Sequence, residues 1–96
     1  MIYEKNEENI ENIENIENKQ VLVNNINKIH STKMGIDRIS KNLNIGKEDV
    51  IIFCKDIISN KNSFIYKKGK NLYCEYDNIL ITINSYSYTI ITAHKE

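Results

Sequence analysis

The chain has 96 residues, 41% hydrophobic and 27% charged, and no formal net charge. That length suits one domain and excludes large architectures such as a TIM barrel or a complete dinucleotide-binding fold. No apolar run reaches 18 residues, and the N-terminus lacks the basic-then-apolar layout of a secretory signal, so no membrane span and a cytoplasmic location in a bacterium or mobile element are expected.

Ile, Asn and Lys supply 19, 15 and 12 residues, against one Arg, no Trp and no Pro. Those three amino acids use A/T-rich codons, so their abundance reflects coding bias and is not read as function. The two cysteines, Cys54 and Cys74, stand 20 positions apart and outside any CxxC pair. They read as buried thiols packing as small hydrophobes, with neither a disulfide nor a zinc site expected.

In chain order, residues 1–20 form an acidic arm. It repeats Asn-Ile-Glu three times over residues 9–17 and carries six acids against two lysines, net −4. Ile10, Ile13 and Ile16 make a slanting ridge if the arm is helical, because a three-residue step drifts on a helix of 3.6 residues per turn. The arm is read as a frayed extension, as a helix docking on the body or a second subunit, or as an acidic cover for the basic body. Residues 21–96 are net +4 and form a single α+β domain.

A first helix starts at Val21, with Leu22, Ile26 and Ile29 on one face, and ends near His30. Ser31 or Thr32 caps a second, marked by Ile36, Ile39 and Leu43 and closed by Asn44 and Gly46. Lys47-Glu48-Asp49 opens a third, with Val50, Phe53, Cys54, Ile57 and Ile58 inward and residues 60–62 closing it. Strands follow at residues 63–67, 71–76, 79–84 and 86–93, joined by turns at residues 68–70, Asp77-Asn78 and Ser85. Connections this short force antiparallel neighbours. The expected fold is two or three helices packed on one face of a four-stranded antiparallel meander, the other face being partly polar.

Two stretches resemble a small uncharacterised bacterial family, a domain of unknown function found mainly in Firmicutes. One is Ile29-His30-Ser31-Thr32-Lys33-Met34-Gly35-Ile36-Asp37-Arg38-Ile39 with Lys41-Asn42-Leu43. The other runs from Gly69-Lys70-Asn71-Leu72-Tyr73-Cys74 through residues 82–94. The resemblance covers most of residues 21–95, leaves the acidic arm outside, and implies no activity. At the level of element order alone, helices followed by a meander are similar to the small ribonuclease toxins, a group including barnase, RelE-type toxins and tRNA-cleaving colicins. That likeness implies a helical His or Arg acting with strand residues on an open sheet face, and it is an argument from architecture only.

Metal-free RNA cleavage by 2′-hydroxyl attack needs a base, an acid and a cation for the charged phosphorus centre. The catalytic candidates are His30, Arg38, Glu75 and Tyr88. His30 reads alternatively as a capping histidine at a helix C-terminus, and Arg38 as a partner of Asp37, Glu48 or Asp49. Arg38 stands out as the only arginine, where a planar fork fits phosphate. Glu75, sharing a strand face with Tyr73, is a base or else a carboxylate paired with a lysine. Lys67, Lys68 and Lys70 crowd a hairpin turn and offer phosphate contacts. Tyr73 and Tyr86 are candidate stacking residues, with Tyr86 and Tyr88 projecting from one face of the fourth strand. His94 lies past that strand near the chain end. No P-loop, GxGxxG, HExxH, GxSxG or paired-cysteine motif occurs, and no metal or cofactor is implied.

Two functions compete, the first being the expected one and the second its alternative. One is a nucleic-acid-acting protein with RNA as partner, a metal-independent ribonuclease-toxin-like domain; a charge of +4 on the body is modest for that. The other is a non-catalytic module, such as a phage or mobile-element regulator, that binds a partner protein. A homodimer through the N-terminal helix or a sheet edge is compatible with both.

Overall fold

A computed structural model describes residues 2–96, with side chains described from residue 13 onward. Helix α1 (Ile2–Asn24) runs unbroken across residues 20 and 21. It stops where the Asn25 carboxamide donates back to the Val21 carbonyl at 2.8 Å. A 3-10 turn (Ile26–Lys28) follows, so His30 sits on extended chain and not on the end of a helix. Its expected reading as a helix C-terminal cap is therefore corrected: asparagine side chains compete with the helical backbone bonds and end the helix early.

Thr32 caps α2 (Lys33–Leu43), its hydroxyl accepting from Gly35 N at 3.0 Å. Asn44, in the left-handed region at φ 55°, closes it. A 3-10 turn (Lys47–Asp49) leads into α3 (Val50–Ser59), which buries Val50, Cys54, Ile57 and Ile58. Phe53 is only half-buried. The strands are β1 (Phe64–Lys68), β2 (Asn71–Tyr76), β3 (Ile79–Asn84) and β4 (Ile90–Lys95). They form one antiparallel sheet in the order β1-β2-β3-β4. Asp77 and Asn78 both have positive φ, 48° and 62°, the conformation that a two-residue turn between twisted strands demands.

The fourth strand begins later than its Tyr-Ser-Tyr-Thr alternation suggests. Asn84 Oδ1 accepts from Tyr86 N and Ser87 N, at 2.9 and 3.0 Å, and Asn84 O accepts from Tyr88 N. This side-chain turn takes residues 85–88 out of the sheet. Tyr88 has φ 58°, Tyr86 is 75% exposed, and the two do not share a strand face. His94, in turn, lies within β4, opposite Leu80.

One face of the sheet carries Ile65, Leu72, Cys74, Ile81, Ile83, Ile90 and Ala93, all buried. These pack with Leu22, Ile39, Leu43, Val50, Cys54 and Ile58 into a single core. α1 lies along β1, α2 along β4, and α3 between them. Both sheet edges are bound by side chains. Asn15 Oδ1 accepts from Ile65 N at 2.7 Å and Lys19 Nζ donates to Ser63 O at 3.0 Å. On the β4 side, Ser31 Oγ donates to Ile90 O, Asn42 Nδ2 to Ala93 O, and His30 pairs with Thr89 as an isolated parallel bridge. Gly35 leaves room for the Ser31 hydroxyl that bonds Ile90 O, since a Cβ there would run into it. Among the described residues no helix is long and apolar enough to cross a membrane.

Candidate recognition surface

Strand alternation decides which residues face away from the helices. Register places three cross-strand rows on that open face: Lys68, Asn71 and Asn84; then Tyr66, Tyr73, Thr82 and Thr92; then Phe64, Glu75, Leu80 and His94. The Tyr66 and Tyr73 rings stack at 5.3 Å with 17° between their planes, and Phe64 tilts against Tyr66 at 6.1 Å. Pairs of this kind contribute more than the area they cover. Thr82, between Tyr73 and Thr92, is only 7% exposed although no helix covers it.

The two ends of this face differ in charge. The β1–β2 hairpin end carries Lys68 and Lys70, both exposed. The β2–β3 end carries Glu75, Asp77 and Glu96, around a recess of about 420 Å³ that also touches Phe64, Tyr76 and Asn78. The Tyr66 hydroxyl donates to Glu75 Oε1 at 3.4 Å. Partial burial and then the Glu75 charge hold the Tyr66 phenol above its ordinary pKa. Glu75 is thus paired with a tyrosine, not with a lysine across the strand.

The candidate catalytic groups are divided between three places. His30 is at the Lys70 end: its Nδ1–H donates to Lys28 O at 2.8 Å, and its Nε2 lies 3.2 Å from Thr89 Oγ1. Tyr88 joins it there, its carbonyl accepting from His30 N and its ring lying 5.9 Å from Lys28 Nζ. Ser85 ties the same corner to Lys70 O. Glu75 is at the opposite end, four residues along the strands from the Asn71–Asn84 row, or about 13 Å. Arg38 is exposed on α2, in the helix layer on the other side of the sheet. Among the described residues Arg38 takes no carboxylate; Asp37 instead bridges to Lys47 at 2.9 Å.

Of the candidate binding residues, Lys68, Lys70 and Tyr73 belong to the open face or its rim. Lys67 shares the side of Ile65, and Tyr86 stands out on the loop. Phe64 and Tyr66 were not legible as surface residues in the sequence. The signal that finds them is the register of the first hairpin, which pairs Tyr66 with Tyr73 and Phe64 with Glu75. Cys54 and Cys74 are free and buried; burial pushes their thiols up to about 12 and about 11. No group of His, Cys, Asp and Glu among the described residues could hold a metal ion.

No curated protein and no solved structure matches this chain. The model of a family described as "Protein of unknown function (DUF3781)" matches residues 23–94, which is most of the chain and contains both motif stretches. The helices and the sheet described above therefore lie in that match apart from most of α1 and the last residue of β4, and the chain belongs to this family of unknown function.

Proposed function

We propose that this chain is a non-catalytic protein-interaction module that recognises its partner on the uncovered sheet face. The observation that carries the reading is the cluster of Phe64, Tyr66 and Tyr73 on a face that no helix covers. Aromatic side chains of this kind supply large contact area at little entropy cost and are enriched among binding hot spots. The separation of the candidate acid–base groups weighs against catalysis. A single scissile phosphate cannot meet His30 and Glu75 when about 13 Å of strand separates the Glu75 row from the sheet end at which His30 lies.

A nucleic-acid ligand is the second reading, favoured by Lys68, Lys70 and the Tyr66–Tyr73 stack, on which bases could lie. Against it, Glu75, Asp77 and Glu96 repel a polyanion from half of the same face. The test compares the full chain with a Tyr66→Ala, Tyr73→Ala double variant. A stoichiometric protein captured by the wild type is expected to bind the variant about tenfold more weakly or worse. Labelled single-stranded RNA is expected to show no salt-dependent binding in anisotropy titrations. Tight RNA binding that weakens with salt and with Tyr73→Ala would overturn the reading.

A further inference from the structure

We infer that the open sheet face pairs with the same face of a second copy of this chain, across a two-fold axis lying between the sheets and running across the strands. The inference rests on the interaction reading and names its partner. An isologous interface brings one patch against itself, so a patch of a single charge sign repels its own copy. This face is instead divided, with Lys68 and Lys70 at one end and Glu75, Asp77 and Glu96 at the other. The axis must cross the strands, because an axis along them would stack like charges. Rotated in that way, the lysines of each copy lie over the carboxylates of the other.

The rows fit this operation. The Tyr66–Tyr73–Thr82–Thr92 row falls on the axis, so the aromatic stack meets its own copy at the centre. The Lys68–Asn71–Asn84 row then lies over Phe64, Glu75, Leu80 and His94 of the second copy. That arrangement gives a centre of two tyrosines and two threonines with charged ends, and aromatic side chains are enriched at interfaces. Two sheets packed face to face stand about 10 Å apart, within reach of long lysine side chains.

Size sets the strength. Four strands at about 4.8 Å spacing and six residues at about 3.3 Å each give about 400 Å² of sheet per copy. Roughly 800 Å² in total falls below the range of stable specific interfaces, so a weak, exchanging dimer, micromolar at its tightest, is expected.

Sedimentation velocity of the purified full chain, from about 1 µM to about 1 mM, tests this. The wild type is expected to pass from monomer to dimer across that range, and more weakly at high salt. Each charge reversal occurs twice across the axis, so Lys68→Glu or Glu75→Lys alone is expected to raise the dissociation constant about tenfold. Lys70→Glu, at an exposed turn, acts in the same direction. The double variant Lys68→Glu, Glu75→Lys is expected to recover the dimer, because both ends are exchanged in both copies. Circular dichroism confirms that each variant is folded. A chain that stays monomeric throughout, a dimer indifferent to the single reversals, or a double variant that remains dissociated would overturn the inference. If self-association is absent while the Tyr66→Ala, Tyr73→Ala variant still loses a different protein, self-pairing alone fails and the interaction reading stands.

Discussion

At the residue scale, neighbours decide what each polar or reactive group can do. Cys54 and Cys74 are the most nucleophilic side-chain types in the chain, yet both are fully buried. Only thiolates react readily, and burial disfavours the charged form. A disulfide-exchange reagent is therefore expected to label the native protein far more slowly than the urea-unfolded chain, with two thiols appearing on unfolding. Fast labelling of the folded protein would show that α3 and β2 separate readily. His30 is similarly occupied, since both ring nitrogens take local partners. Residue identity made His30, Arg38, Glu75 and Tyr88 visible as candidates. Their distribution over two sheet ends and the helix layer was not visible, because it depends on strand register and on which face α2 covers.

At the element scale, α1 joins the acidic repeat to the body. The family match begins at residue 23, but Leu22 is completely buried in the common core. Leu22→Ala is expected to destabilise the fold by about 2–5 kcal/mol, through lost burial and the cavity left behind. Urea unfolding measures it, and a loss below about 1 kcal/mol would mean that α1 is only loosely packed. Further along the helix, Asn15 and Lys19 bind the β1 edge, which would otherwise offer free backbone groups to other chains. The strands β2 and β3 were legible to the residue, because an Asp-Asn turn with two positive φ angles fixes their register. The start of β4 was not, since the Asn84 side chain converts an alternating Tyr-Ser-Tyr-Thr segment into a loop. The end of the first helix failed for the same physical reason: an asparagine bonds locally at Asn25 and outweighs the hydrophobic period.

At the scale of the whole molecule, zero net charge conceals two separations. One is along the chain, between the acidic arm and the basic body. The other is across the open face, with Lys68 and Lys70 at one end and Glu75, Asp77 and Glu96 at the other. The titrating groups with shifted pKa values also bound the pH range of stability. Lys47 holds Asp37 below its ordinary value of 3.8. The stabilisation from a lowered carboxyl is present above that value and is lost as pH falls through the folded one. Cys54 and Cys74 are raised from 9.0, and Tyr66 is raised from 10.0. Their contribution is present below those values and is lost as pH rises through the folded ones. Urea midpoints are therefore expected to be flat through the neutral range and to fall at both extremes. Asp37→Asn should reduce the acid-side slope slightly, the pair being exposed; an unchanged slope would remove Asp37 as its source.

The sequence by itself determined the element types, their order and the antiparallel meander. Apolar spacing reports which residues are buried together, and short connections leave only one way for neighbouring strands to pair. It also determined the two inert thiols and the division of charge along the chain. Tertiary structure alone decided that Phe64 and Tyr66 join Tyr73 on an uncovered face, that Glu75 stands far from His30, and that Arg38 lies behind the sheet. Side-chain facing is a property of register and of which face the helices occupy. A shift of one residue in pairing would exchange the core and the open face; the Asp77-Asn78 turn excludes it between β2 and β3, whereas the outer pairings are settled only when the helices pack.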